Sequence, residues 1–453
     1  MKIIITGAGE VGYHIAGRLA AENKEVVVID KNPESIRRVV ESIDVEAICG
    51  SGSSPEVLKT AGVKSAEMFL AVTDSDEINL VACLMVDAIA PSTRKIARIR
   101  QEDFDAYHDV FRDQAPHIDT IINPEIEVVR SIENLLDVPG AADVSEFAGG
   151  RLKFVGFYLH NSNPLIGIRL SDIPSKLGGH TLVAAILRSE ELIIPEGRHV
   201  LYEGDLVYFI SEGKNISRIL SALNQRAKPI KSVMIIGGGR IGTRLATVLE
   251  KRPIHAKIIE RSESRCQVLS ELLGKTVVIH GDGSDQGLLM EENLRDMDAI
   301  ITTTNDEETN ILVSLMARRM GTPKAITRLD KFSYFSLMPA IGIEQVVSPR
   351  LSAINTILQH IRKGKILSVR TLTGEQGEII EAEALRTSDI IGKPLRKKIF
   401  PAGSLAIGII RGETIIIPSG ESVIEAGDRV IIFARRQVVN QIEKILSVKL
   451  EYI

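Results

Sequence analysis

Apolar residues along this chain fall in short unbroken runs separated by stretches with a helical period. Lys2–Thr6, Glu25–Ile29, Val45–Cys49, Met68–Val72 and Lys95–Arg100 read as strands, with helices predicted over Val11–Ala21, Pro33–Ser42, Ser53–Ala61 and Ser75–Ala90. Continuous runs such as Val26-Val27-Val28-Ile29 suit strands covered on both faces, as in a parallel sheet. Regular β and α alternation then predicts a doubly wound α/β fold.

The pattern is written twice. Ile5-Thr6-Gly7-Ala8-Gly9-Glu10-Val11-Gly12 returns as Ile235-Ile236-Gly237-Gly238-Gly239-Arg240-Ile241-Gly242, and the same shift of 230 residues carries Asp30 to Glu260 and Arg98 to Arg328. Cys49-Gly50-Ser51-Gly52-Ser53 matches His280-Gly281-Asp282-Gly283-Ser284, and Thr73-Asp74 through Asn79 matches Thr304-Asn305 through Asn310. A second, smaller unit also repeats: Pro195, Gly197, Gly204 and Asp205 recur 223 residues later as Pro418, Gly420, Gly427 and Asp428. Its strands, around Phe154–Leu159, Thr181–Arg188 and Leu206–Ile210, are broken by glycine and proline turns and read as compact α+β modules. The expected order is therefore A-B-A-B. Two Rossmann-type nucleotide-binding domains, 1–140 and 230–365, alternate with two small α+β domains, 141–226 and 366–453, with a linker near Ala227-Lys228-Pro229.

The length of 453 residues suits roughly three or four domains. No apolar run approaches the roughly 18 residues needed to cross a bilayer, and Met1-Lys2-Ile3-Ile4-Ile5 enters a strand at once, so no secretory leader is expected. Cys49, Cys83 and Cys266 are far apart, which suits a reducing compartment and argues against structural zinc or a disulfide framework. Net charge is −4 with both signs interspersed, so nothing marks a nucleic-acid surface.

Each glycine turn has a chemical reading. In GxGxxG the first glycine (Gly7, Gly237) permits a tight strand-to-helix turn, the second (Gly9, Gly239) lets backbone approach a pyrophosphate, and the third (Gly12, Gly242) packs helix on sheet. Asp30 and Glu260, closing the second strand, are placed to accept from ribose hydroxyls and to repel a 2′-phosphate, which favours NAD-type nucleotides over NADP. Thr73, Asp74, Thr304 and Asn305 follow the fourth strand at the carboxyl edge, where they either contact nucleotide or cap the next helix. Arg98 and Arg328 either pair with phosphate or form a structural ion pair. Either Glu10 disfavours extra phosphate charge at the first turn and Arg240 favours it at the second, so that the copies differ in affinity or nucleotide, or both side chains point to solvent.

Catalytic signals are absent by comparison. A dehydrogenase needs an acid or base facing the nicotinamide, yet His160, His180 and His199 have no counterparts in the second small unit. The nine histidines show no HxxxH pair, and no GxSxG, P-loop lysine motif or catalytic carboxylate pair stands out. The expectation is no catalytic residue, no metal and no enzyme, with an NAD-dependent oxidoreductase as the alternative. A transcription regulator is disfavoured because the repeats leave no segment for a helix-turn-helix.

Gly7-Ala8-Gly9-Glu10-Val11-Gly12, Ala71-Val72-Thr73-Asp74-Ser75-Asp76-Glu77 with Asn79, Ile96-Ala97-Arg98-Ile99-Arg100, Gly237-Gly238-Gly239-Arg240-Ile241-Gly242 with Glu260-Arg261, and Gly281-Asp282-Gly283-Ser284-Asp285 together carry a resemblance. Over essentially its whole length the chain resembles the tandem regulator-of-K⁺-conductance (RCK) family of Trk-type potassium uptake. That resemblance implies a cytoplasmic regulatory subunit, peripheral on the inner face of the membrane, that binds NAD(H), with ATP and ADP as regulatory ligands. It further implies a homo-oligomeric ring, a tetramer, that gates a membrane-embedded potassium transporter subunit of the TrkH/TrkG kind. Ala8, Glu10, Val11, Gly238, Arg240 and Ile241 join the other turn residues as expected cofactor contacts, and Arg98 is a phosphate or inter-subunit contact.

Overall fold

The computed structural model describes residues 1–161, 163–189, 191–225, 228–362, 365–372 and 376–446; Ala227 of the expected linker lies outside them. The chain forms two compact units, Met1–Glu127 with Pro349–Leu358, and Val128–Ser348 with Gln359–Ile453.

In the first unit, β1 (Lys2–Thr6), β2 (Glu25–Asp30), β3 (Glu46–Cys49), β4 (Met68–Ala71), β5 (Arg94–Arg98) and β6 (Thr120–Ile122) form one parallel sheet in the order β3-β2-β1-β4-β5-β6. Helices α1 (Glu10–Ala21), α2 (Pro33–Ser42), α3 (Pro55–Thr60), α4 (Asp76–Ile89) and α5 (His108–Asp113) connect the strands. Ile3, Ile4 and Ile5 are all fully buried, as a strand with both faces covered requires. The strand order reverses between β1 and β4, so the loops after these two strands meet at the carboxyl edge where open α/β sheets bind ligands. The fifth strand stops at Arg98 rather than the expected Arg100. Ile99 N still donates to the Ile122 carbonyl at 3.0 Å, and beyond it the amides of Arg100 and Gln101 donate to Asp76 at 2.8 and 2.9 Å.

The second unit begins within α6 (Pro124–Asp137). Its first small sheet has the order β10-β9-β11-β8-β7, built from β7 (Asp143–Phe147), β8 (Leu152–Tyr158), β9 (Thr181–Arg188), β10 (Glu191–Ile193) and β11 (Leu206–Glu212). It is antiparallel, with α7 (Ile173–Leu177) and α8 (Ile216–Ala222). A second parallel sheet, β14-β13-β12-β15-β16-β17, repeats the first sheet's order using β12 (Ser232–Ile236), β13 (His255–Glu260), β14 (Val277–His280), β15 (Ala299–Thr302), β16 (Lys324–Arg328) and β17 (Gln345–Val347). Its helices are α9 (Arg240–Leu249), α10 (Glu263–Leu272), α11 (Gln286–Glu291), α12 (Glu307–Met320), α13 (Phe332–Phe335) and α14 (Pro349–Ile361), the last shared between the two units. β18 (Ile366–Thr371), β19 (Gly377–Glu383), β20 (Ser404–Arg411), β21 (Thr414–Ile416) and β22 (Arg429–Arg435) form the second small antiparallel sheet, followed by α15 (Val439–Leu446). The fold class is thus two Rossmann-type sheets alternating with two small antiparallel sheets. The small sheets share one core, in which Phe154 and Tyr208 pack with Ile379, Ile431 and Phe433. Each is pinned by the same device: Arg188 grips Asp205 through Nε and Nη2 at 2.7 and 2.8 Å, and Arg411 grips Asp428 at 2.9 and 2.8 Å.

From Val128 onward α6 packs on the second Rossmann-type sheet: Val128, Ile132 and Leu136 share a core with Val233, Leu245 and Ile301. A helix end leaves carbonyls unpaired, and the Lys324 ammonium reaches those of Leu135 and Val138. Burial pushes this lysine down to about 8, from an ordinary value of 10.5. Between those values the unfolded chain holds the proton and the folded chain does not, so this group makes the fold gain stability as pH rises from about 8 to 10.5. Urea midpoints at low and high pH check this: relative to Lys324→Met, the unaltered chain gains up to roughly 3 kcal/mol across the window. A pH-independent difference between the two would contradict it.

Candidate functional site

The two glycine turns have nearly the same geometry. Gly7 has φ +102° and an added Cβ there would lie 2.9 Å from the Thr73 amide nitrogen; Gly237 has φ +103° and stands against Thr304 in the same way, at 3.1 Å. A Cβ on Gly12 would lie 1.8 Å from the Gly7 carbonyl oxygen, and one on Gly242 2.0 Å from that of Gly237. Backbone conformation and helix packing therefore require these four glycines. Gly9 and Gly239 are different. Their backbones are extended, with φ −63° and −67°, and nothing lies within 4 Å of an added Cβ. Neither strain nor packing calls for glycine at these two positions, so what the missing side chain leaves open is approach from outside. Both precede helices whose N-termini have no side-chain cap, and the first-turn amides of α1 and α9 face that space with the positive end of the helix dipole.

The acids brace the turns. Ala8 N donates to Asp30 Oδ2 at 2.6 Å and Asn32 N to Oδ1 at 2.8 Å. In the second copy Gly238 N donates to Glu260 Oε2 at 2.7 Å and Ser262 N to Oε1 at 2.8 Å. Each carboxylate oxygen keeps lone-pair capacity beyond its one amide, so tethering and ribose contact are compatible. Val11 and Ile241 are buried beneath the helices, while Arg240 is exposed at the second turn. Gly238 replaces Ala8 for a packing reason, because a Cβ there would lie 2.4 Å from Leu269 Cδ1.

At the sheet edge, Thr73 donates to Asn79 Oδ1 through N at 2.9 Å and Oγ1 at 2.7 Å, and Asn79 Nδ2 donates to the Arg98 carbonyl at 2.8 Å. Arg98 Nη2 in turn reaches the Thr73 carbonyl at 2.7 Å and Asp74 at 2.8 Å. Thr304, Asn310, Asn305 and Arg328 reproduce the arrangement, with Arg328 also held by Asp330 at 2.9 Å. The alternatives left open by sequence thus meet in one brace: the arginines form structural pairs, and the caps are Ser75 and Asp306 rather than Thr73 and Thr304. Asn79 and Asn310, both fully buried, are the residues that sequence reasoning passed over; their place in each repeat was the available signal.

Charge at the first turn differs from what Glu10 alone suggests. Arg38 Nη1 on α2 donates to Glu10 at 2.6 Å, Arg350 at the start of α14 lies 3.7 Å away and His14 3.5 Å. Arg38 also stacks over Tyr13 at 3.9 Å. Burial pushes the Glu10 carboxyl up, but the Arg38 hydrogen bond and these neighbouring charges hold it below the usual range. Glu10 is thus paired with Arg38 and faces Arg350, and does not stand at the first turn as an unshielded negative charge. In the second copy Arg265 fills a comparable place, donating to the Gly238 carbonyl at 2.8 Å and Thr243 Oγ1 at 2.9 Å. Among the described residues no group of three or more His, Cys, Asp or Glu is placed to hold a metal ion, and no helix is long and apolar enough to cross a membrane.

Set beside known proteins, the chain matches the TrkA-N domain over residues 3–124 and again over 233–349, and the TrkA-C domain over 154–224 and 379–447. It is 36% identical to the Trk system potassium uptake protein TrkA of Halomonas elongata, with 100% of both chains covered. It is 35% identical to the Trk system potassium uptake protein TrkA homolog 1 of Methanosarcina mazei over 98% of this chain and 99% of that one. Among solved structures it is similar in fold to the GsuK channel bound to NAD, at 20% identity and a TM-score of 0.60, covering 98% of this chain and 79% of that one.

Proposed function

The chain belongs to the TrkA family, a potassium-uptake subunit rather than an enzyme, and on that footing we propose that it regulates uptake by binding NAD(H) at both glycine turns. Its nucleotide-binding domains are residues 1–140 and 230–365, its small domains 141–226 and 366–453. Gly7, Gly9 and Gly12 shape the first phosphate seat and Asp30 takes the ribose hydroxyls; Gly237, Gly239, Gly242 and Glu260 do the same in the second. Thr73, Asp74 and Arg98, with Thr304, Asn305 and Arg328, hold the facing edge. ATP or ADP competes at the turn whose charge suits an extra phosphate. Four copies form a ring on the cytoplasmic face of a membrane-embedded potassium transporter subunit, and nucleotide shifts the ring between shapes.

The observation that carries this reading is the open space at Gly9 and Gly239, where glycine serves nothing inside the protein. The choice of nucleotide is supported by the fold neighbour, the GsuK channel bound to NAD. Calorimetric titration of the full chain with NADH tests it. Asp30→Ala weakens the first site by about 1–3 kcal/mol and spares the second, and Glu260→Ala does the reverse, as expected for lost hydrogen bonds to a charged acceptor. Unaltered affinity in both copies would remove the ribose role from these acids.

A further inference from the structure

A cavity of about 480 Å³ opens within the second unit, between the first small sheet and the segment that follows β16. Its size lies within the ~300–1,000 Å³ of small-molecule sites. One wall is Asp143 on β7, Tyr158 on β8 and Tyr208 on β11; the other includes Phe335, Met338 and Glu344. Among the described residues the lining holds no Lys, Arg or His, so its ionisable groups are two carboxyls and two phenols. Tyr208 is fully buried and its hydroxyl makes no hydrogen bond of ordinary geometry. Burial pushes the Asp143 carboxyl up to about 6, against the pull of Arg370, the Val144 amide and the neighbouring Tyr208 hydroxyl. Glu344 is already engaged from outside by His160 at 2.9 Å.

A buried phenol whose polar neighbour is a carboxyl, and a carboxyl that burial disfavours in its charged form, both keep acceptor capacity facing the cavity, and a guest that donates hydrogen bonds to their oxygens lowers the cost of burying them. An ammonium has three such donors and no acceptor, and it is also attracted to the faces of aromatic rings such as Phe335. An anion would meet no cationic side chain among the described lining residues. We propose that this cavity binds a small, largely apolar molecule bearing one primary ammonium group, the ammonium set against Asp143 and Tyr208 and the apolar body against Phe335 and Met338. None of the glycine-turn residues lines the cavity.

The test uses the full chain and two probes of nearly equal shape, 2-phenylethylammonium and 2-phenylethanol, titrated by calorimetry. The ammonium binds about tenfold more tightly than the alcohol, the difference expected for hydrogen bonds to a charged partner. Asp143→Asn brings the two within about twofold of each other as the charge is lost. Ala340→Trp, at an exposed position on the cavity rim, abolishes ammonium binding while NADH affinity stays unchanged, which separates filling the cavity from misfolding. Equal binding of the alcohol, unchanged binding in Ala340→Trp, or no saturable binding of either probe at about 10 mM would overturn the proposal.

Discussion

With Gly9 and Gly239 both changed to valine, the chain stays folded and its nucleotide affinity falls by about 100-fold at each site, roughly 3 kcal/mol. The dissociation of the two effects follows from the geometry. At both positions the backbone already lies in a region any residue adopts, and no heavy atom stands within 4 Å of the new Cβ, so the protein itself gives up little. A ligand lying close over the turn loses that space. Gly12→Ala is the contrasting control: its Cβ would lie 1.8 Å from the Gly7 carbonyl oxygen, and backbone has to shift. Melting temperature and NADH titration, measured on the same preparations, read the two effects separately. Valine variants that bind normally would mean the nucleotide does not approach these positions.

Arg362→Ala is expected to lower stability by about 3–5 kcal/mol, the cost of stranding buried charge. Arg362 follows α14 and is fully buried; its Nη2 donates to both oxygens of fully buried Glu378 at 2.9 and 3.2 Å, and its Nη1 donates to Glu443 at 3.0 Å. Removing the guanidinium takes from two buried carboxylates the cation they share. Replacing Arg362, Glu378 and Glu443 together with apolar residues of similar volume loses much less, because no unpaired charge remains. Denaturant midpoints compare the two variants, and a loss in Arg362→Ala below about 1 kcal/mol would place the network on the scale of a surface pair.

Much of the architecture was legible because the chain states it twice. Continuous runs such as Ile3-Ile4-Ile5 marked central strands, and the offset of 230 residues placed Gly237 and Glu260 where Gly7 and Asp30 had already been read. Short edge elements carried less signal: β6 is three residues long, and β7 follows a turn with no apolar alternation of its own. The brace around Asn79 and Arg98 was not legible in the sequence because each side chain has several partners within reach, some of them 19 to 25 residues away along the chain. The surroundings of Glu10 were hidden for a different reason. Arg38 and Arg350 neutralise it, and Arg350 lies 340 residues further along the chain, a separation that no local spacing reveals. Likewise α6 was not read from the sequence, and neither its core partners Val233 and Leu245 nor the lysine at its end, Lys324, stands near it in the chain.

Potassium uptake through the membrane partner, reconstituted in vesicles with this chain and measured with and without NADH, tests the central claim most directly. A ligand drives a ring between shapes only through its difference in affinity for them, typically about 1–3 kcal/mol of coupling, or roughly 5- to 150-fold. The account predicts that flux changes with nucleotide in the unaltered protein and loses that dependence when Gly9→Val and Gly239→Val are combined, while the oligomer stays assembled. Flux that remains equally sensitive to nucleotide with both turns blocked would contradict it.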